Sequence, residues 1–282
     1  MPEGDTLHRI ALRMQPLVGG LVEALSLPRG TQPTAHLVGK RIVSIEARGK
    51  NLLVTFEGRW VLHTHLRMNG AWRLRARDDR PLSSRFPRGT VVHLATATHE
   101  ALCTNAPTVV LARAGSLRFD PLASLGPDLL ADEVDLDAMV RRLRAADETP
   151  IGLAVMDQRL VAGIGNVWKS EGLFARGLDP FAPVARFADD ELRALLAHLH
   201  MAMQANVDGR AHRRALVPAR GGPRITRLSV GGAREGHAVY ERAGAPCLAC
   251  GTRVERRKQG TRSTYVCPRC QPARSPTPGS AA

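Results

Sequence analysis

The stretch from Cys247 to Cys270 reads CLAC-GTRVERRKQGTRSTYV-CPRC, two Cys-x-x-Cys pairs with sixteen residues between them. Two residues between cysteines let one turn present both sulfurs to one ion, and four thiolates close a tetrahedral zinc shell with no open position. The spacing predicts a single structural zinc held by Cys247, Cys250, Cys267 and Cys270; a redox pair or disulfides are the alternatives. Between the pairs, Val254 to Lys258 and Ser263 to Val266 read as a hairpin with its tip at Gln259 to Arg262. Arg253, Arg256, Arg257 and Lys258 on its flanks suffice to neutralise several phosphates. Such a hairpin is a rigid probe for duplex DNA, or an ordinary zinc ribbon with a solvated basic face.

The rest of the chain favours the first reading. A net charge of +14 and a pI near 10.9 over 282 residues point to a polyanionic partner. No apolar run approaches the roughly 20 residues that span a bilayer, and no basic amphipathic helix, lipidation signal or secretory layout stands out. The expectation is a monomer in the bacterial cytosol or nucleoid, with no membrane partner. Cys103, between apolar neighbours, reads as a buried, inert thiol.

Residues 5 to 15 form a helical pattern through Leu7, Ile10, Ala11 and Met14, with Asp5 or Thr6 as its cap. Short strands are predicted at 41–47, 52–56, 60–65, 91–96, 101–104 and 109–113, a spacing that suggests an antiparallel sandwich. Helical stripes follow at Leu136 to Leu143 and at Leu192 to Met203, and 149–176 is helix-like with Gly163 and Gly165 interrupting it. The fold class is therefore α+β, with an N-terminal β-sandwich (1–123), a helical domain (124–236) and a zinc finger (237–272). The Gly- and Arg-rich stretch past Asp208 reads as a mobile loop, and 273–282 as a disordered tail.

The chain starts Met1-Pro2-Glu3-Gly4, and a proline after the initiator normally lets methionine be removed. Pro2 would then carry a free secondary amine, and an α-amino group titrates about two units below lysine. A helix dipole starting just behind it favours the neutral amine further. Such an amine can attack the anomeric carbon of a deoxyribose, and the resulting iminium permits β-elimination of the 3′ phosphate. Glu3 adjoins it as a proton donor. Lys50, at a glycine-marked turn between two strands, can reach a phosphate or a leaving base, or is simply solvated.

Taken in order, these segments resemble the formamidopyrimidine-DNA glycosylase / endonuclease VIII family. The resemblance rests on Met1 to Gly4, Gly49 to Leu53, Leu125 to Leu130, Asp157 and Gln158, Val161 to Asn166, Ser170 to Phe174, Val239-Tyr240 and the cysteine hairpin. The segment Ala162 to Asn166 is similar to the family's helix–two-turns–helix motif. The resemblance implies Pro2 as Schiff-base nucleophile, Glu3 as proton donor, Lys50 as the lysine that assists β-elimination, and Arg262 as the hairpin arginine that grips the lesion phosphate. It implies Asn166 as a contact to the DNA backbone, Arg67 and Met68 in the loop that fills the hole left by a flipped base, and Arg113 as a second backbone contact. Damaged double-stranded DNA is the implied partner, held in a cleft between the domains, and zinc the only cofactor.

Three departures qualify the match. Asp5-Thr6 follow Gly4 where the family has Pro-Glu; the long Phe-and-Arg wedge of the purine-directed branch is missing around Val109 to Phe119; Gly152 replaces a lysine. The first residues and the missing wedge lean towards oxidised pyrimidines as substrates, with formamidopyrimidine or 8-oxoguanine as the alternative. A non-catalytic zinc-ribbon DNA-binding protein is the alternative of another class.

Overall fold

Short apolar and β-branched runs set much of the first half of the chain into strands in the computed structural model, which describes residues 2–28, 33–77, 86–115, 122–208 and 236–274. Helix α1 (Gly4–Arg13) comes first, then β1 (Ala24–Ser26), β2 (Ile42–Arg48), β3 (Asn51–Phe56), β4 (Trp60–His65), β5 (Ala71–Ala76), β6 (Thr90–Ala95), β7 (His99–Thr104) and β8 (Thr108–Arg113). They make two antiparallel sheets, ordered β1-β6-β7-β5 and β2-β3-β4-β8. Leu52, Val54, Leu62, Val92, Leu94 and Leu111 point into one core between the sheets. Helix α1 closes that core with Leu7, Ala11 and Met14, and Gln15 Nε2 behind it donates to Ile45 O at 2.9 Å. Cys103 is fully buried there, and burial pushes its thiol up to about 12, so it is inert.

Strands β1 and β5 were not expected. β1 is only three residues long, and β5 alternates Trp72 and Leu74 with Arg73 and Arg75, a pattern the charges obscure. The sandwich is one compact unit, residues 1–123; residues 124–282 form a second.

The second unit holds α2 (Leu136–Arg144), α3 (Ile151–Ala154), α4 (Asn166–Arg176), α5 (Asp189–Val207) and the hairpin β9 (Glu255–Gln259) and β10 (Arg262–Val266). Asp135 caps α2 by accepting from Ala138 N at 2.8 Å, a normal N-cap bond. The segment expected to be one interrupted helix is instead the short α3, an irregular stretch, and α4. Gln158 organises that stretch. Its amide donates to Met156 O and Ile164 O at 2.8 and 3.0 Å, and its Oε1 accepts from Gly163 N at 3.0 Å. Gly163 has φ +104°, which a residue with a Cβ rarely adopts. Residues 125–130 brace the same turns through Gly126 N→Gln158 O, Leu129 N→Ala162 O and Ala162 N→Pro127 O. A Cβ on Gly126 would meet Arg159 O and Leu160 O at 2.6 Å, so glycine alone fits.

Helix α4 has no wet face: residues 166–175 are all buried. One side enters the helical core through Trp168 and Leu173; the other enters a smaller core of Phe174, Val239, Cys247, Val254 and Cys267. The fully buried Glu171 carboxylate accepts from Ala238 N, Val239 N and Tyr240 N at 2.8, 2.9 and 2.8 Å. That clamp carries the cysteine module on α4, and it gives the Glu171 and Val239-Tyr240 motifs a common reason. The expected mobile loop at 209–235 and almost all of the tail lie outside the described residues. No described helix is long and apolar enough to cross a membrane.

Candidate functional site

In the first unit, Pro2 is half-buried just ahead of α1, and Glu3 is the residue at its N-cap position. Glu3 is extended and only 2 % exposed, and its carbonyl accepts from Thr6 N and Leu7 N at 3.0 and 3.2 Å. Asp5 is buried in the first turn, where a carboxylate suits the dipole, and its charge opposes the downward pull of burial on Arg9. Pro2 thus stands at the positive end of a ten-residue helix with acids at its next and third-following positions.

Lys50 is the second residue of the two-residue turn between β2 and β3, where Gly49 takes φ +56°. Asn51 fastens this turn: its amide donates to Arg48 O at 3.0 Å, and its Oδ1 pairs with His63 Nε2 at 2.9 Å. An oxygen acceptor fixes His63 as the Nε2–H tautomer. Burial, then neighbouring His65, lowers the His63 imidazole to about 4, so it stays neutral. His65 faces Asn51 across β3 and β4, and its own pKa is lowered by burial, by Arg67 and by Lys50. Lys50, His65 and Arg67 therefore share one end of the sheet. Neither Asn51 nor His63 was anticipated as a support; the available signal was His63 and His65 on alternate positions of one strand.

Beyond His65 the chain turns tightly. Gly70 N donates to Leu66 O at 2.9 Å, Arg67 takes φ +46°, and Arg67 N donates to His65 Nδ1 at 3.2 Å. A Cβ on Gly70 would meet Leu66 O at 2.6 Å. Arg67 and Asn69 are exposed and Met68 is 59 % exposed, so Met68 stands at a loop tip and is no core methionine.

Arg113 is not part of this group. It ends β8 opposite Trp60, five residue pairs from the Thr108–His65 pair, or about 17 Å at the rise of a strand. Its guanidinium lies 5.5 Å over the Trp60 ring, and with Glu46, Arg48 and His63 it lines a cavity of about 190 Å³ on this sheet. The missing wedge falls partly on residues 116–119, outside the described residues.

In the second unit, the four cysteine sulfurs lie within 4.8 Å of one another, with Cys247–Cys270 at 3.9 Å and Cys250–Cys267 at 3.5 Å. A tetrahedron of Zn–S bonds near 2.3 Å has edges of about 3.8 Å, whereas a disulfide would be about 2 Å. The donors thus fit one structural zinc, and Ala249 N donates to Cys247 Sγ at 3.4 Å as a support for thiolate charge.

Arg262 opens β10, exposed, across a two-residue turn from Gln259. Gly260 in that turn has φ +57°. Asn166, the first residue of α4, donates from Nδ2 to Ser263 O at 3.0 Å, while its Oδ1 is buried with no partner among the described residues. The expected DNA contact is thus already engaged with the hairpin, next to Arg262. Lys169 was also missed; it is fully buried and donates to Thr264 Oγ1 at 2.7 Å.

Comparison with known proteins covers nearly all of this architecture. The formamidopyrimidine-DNA glycosylase N-terminal domain matches residues 1–108, the H2TH domain of the same enzymes 125–215, and the zinc finger found in FPG and IleRS 244–273. The chain is 35% identical to a probable endonuclease 8 2 of Streptomyces coelicolor, covering 99% of this chain and 97% of that protein. It is 33% identical to the DNA-(apurinic or apyrimidinic site) lyase Nei2 of Mycolicibacterium smegmatis, over 97% and 100%. The crystal structure of the MutM (Fpg) protein of Thermus thermophilus superposes with a TM-score of 0.73 at 30% identity, over 96% and 98%.

Proposed function

Because the chain belongs to the formamidopyrimidine-DNA glycosylase / endonuclease VIII family of base-excision-repair glycosylases and AP lyases, we propose that it excises oxidised pyrimidines from duplex DNA through Pro2 and then nicks the strand. The observation that carries this reading is Pro2 at the N-terminus of α1 with the Glu3 carboxyl buried behind it.

With Met1 removed, the neutral Pro2 nitrogen attacks C1′ of the deoxyribose, and the bond to the base breaks with its electron pair leaving on the base. The Pro2 N–H proton passes to the departing base, Glu3 gives a proton to O4′ as the ring opens, and the freed nitrogen lone pair forms the iminium. The iminium acidifies C2′; loss of that proton expels the 3′ phosphate, and a second elimination expels the 5′ phosphate. Water hydrolyses the remaining iminium, leaving an aldehyde on the sugar fragment and freeing Pro2. Lys50 offers its ammonium to the departing phosphate, and Arg262 grips a lesion phosphate with a planar fork. Exposed Met68, with Arg67 beside it, fills the stack when the base is flipped. Asn166 acts on DNA through the hairpin it holds, together with the N-terminal end of α4. We place the protein, as a monomer, on bacterial DNA.

The pyrimidine preference is supported by Met-Pro-Glu-Gly, by the missing wedge and by the endonuclease 8 name of the Streptomyces relative. The likeness to the Thermus enzyme supports the purine alternative. Two experiments test the proposal. Sodium borohydride should fix the chain covalently to abasic DNA, Pro2→Gly should slow this strongly and a retained N-terminal tag should abolish it; an adduct on a lysine peptide refutes the mechanism, and its absence altogether favours a non-catalytic DNA-binding protein. A panel of duplexes with single lesions then ranks pyrimidines against 8-oxoguanine and formamidopyrimidine.

A further inference from the structure

Lysine at 169 reads in sequence as one more solvated cation, yet it is 0 % exposed. A buried ammonium needs strong hydrogen bonds. Lys169 Nζ donates to Thr264 Oγ1 at 2.7 Å; Thr264 Oγ1 donates to Gln259 Oε1 at 2.9 Å; Gln259 Nε2 donates to Pro180 O at 2.7 Å. Each direction is forced. Ammonium has only protons to give, so the hydroxyl accepts from it and its single proton goes on to Gln259. Gln259 therefore has one amide orientation, fixed from α4 on one side and from the 179–181 turn on the other. The space around it is closed as well, since a Cβ on Gly152 of α3 would meet Gln259 Oε1 at 2.5 Å and Pro180 O at 2.9 Å.

Gln259 is the cross-strand partner of Arg262. The next residue, Ser263, is held through its carbonyl by Asn166, and Thr264 is held by Lys169. Two adjacent turns of α4 thus grip the strand immediately behind Arg262, while the chain of donors fixes the residue opposite it.

We propose that Lys169 is a positioning residue for Arg262, its ammonium acting through Thr264 and Gln259 to hold the hairpin tip in the geometry that grips the lesion phosphate. The inference rests on the role given to Arg262 above. Lys169 does not touch DNA; it sets the direction of a guanidinium that does.

The test uses full-length, zinc-loaded protein carrying Lys169→Met, Thr264→Val or Arg262→Ala, and each of the first two combined with Arg262→Ala. Excision of the lesion ranked first in the panel and nicking of a preformed abasic site are measured at one salt concentration. Arg262→Ala should cut excision sharply and abasic-site nicking less, because no base remains to extrude. Lys169→Met should lower kcat for excision on the order of ten- to a hundred-fold, the loss expected when a group is misplaced by about 1 Å, with KM changed much less. Thr264→Val keeps the β-branched shape and should give the same loss, so the chain remains testable if Lys169→Met does not fold. On the Arg262→Ala background neither substitution should lower excision further. A further drop there as large as in the parent protein would show that Lys169 acts on folding or zinc retention, and full activity in both single variants would likewise overturn its role. If Arg262→Ala alone leaves excision unchanged, the assignment of Arg262 itself fails and Lys169 falls with it.

Discussion

Replacing Glu171 with glutamine changes one atom and almost no volume, yet it should unfasten the cysteine module from α4. The carboxylate takes Val239 N and Tyr240 N on Oε1 and Ala238 N on Oε2, all between 2.8 and 2.9 Å. Glutamine has one acceptor oxygen. Its better orientation keeps the pair on that oxygen and turns an NH2 group towards the Ala238 N–H, donor against donor. One charge-assisted bond, worth about 2 kcal/mol, is lost, and two others fall from about 2 to about 1 kcal/mol each. The sum is about 4 kcal/mol, and local relaxation should leave a net loss of about 2–4 kcal/mol. Read as local opening, this speeds hydrogen exchange of the 238–240 amides by roughly 30- to 900-fold, at 1.36 kcal/mol per decade. Amides of β3 and β4, in the other unit, should keep their protection. Unchanged exchange at 238–240 with an unmoved denaturation midpoint would refute the view that this carboxylate holds the module.

Other outcomes follow from the same geometry. Chelation, or Cys267→Ser, should abolish DNA binding while the sandwich unit stays folded, and metal analysis should return one zinc per chain; metal-free protein with full activity would exclude the structural role. Met68→Ala should leave stability within about 0.5 kcal/mol, as expected for a surface position, while lowering base excision more than abasic-site nicking; equal losses in both would remove Met68 from the flipped-base gap. His63 and His198 are both held neutral, each lowered to about 4 chiefly by burial. Since an unfolded histidine titrates near 6.5, the unfolded chain binds more protons between those values, so this stability is complete above about pH 6.5 and drains as pH falls towards 4. Each contributes at most about 2 kcal/mol of loss between pH 7 and 5, and His198→Leu should flatten the pH dependence of the denaturation midpoint in the helical unit. An unchanged slope would mean that His198 is not held neutral.

The parts of this molecule that were legible in sequence are those whose chemistry is local. Four cysteines spaced for one ion announce their site, because both members of each pair sit in one turn. Strand β2 alternates and β3 and β4 follow it through short turns, so their pairing is also local. What stayed hidden depends on distant partners. Glu171 reaches residues 67 to 69 positions away, Lys169 reaches Thr264 across 95, and Asn166 reaches Ser263 across 97. Nothing near Lys169 in the sequence distinguishes it from a solvated lysine. Arg113 shows what register adds: it lies opposite Trp60, at the other end of β8 from the Thr108–His65 pair, a placement that residue type alone does not give.

Helix α4 has a consequence for how this protein tolerates change. A helix with one wet side accepts almost anything on every third or fourth residue, so a saturation-mutagenesis map of it shows stripes. Residues 166 to 175 offer no such side. Even the smallest of them is confined, since a Cβ on Gly172 would meet Leu199 Cδ2 at 2.5 Å. The map should therefore show a solid block of ten intolerant positions, from Asn166 to Ala175, with no phase at all. In drift over generations the segment beyond its first turn would behave like a ligand-binding loop, nearly fixed, for reasons of packing and not of contact with DNA. A reader ranking residues by invariance would then overcount the DNA-binding surface by most of one helix.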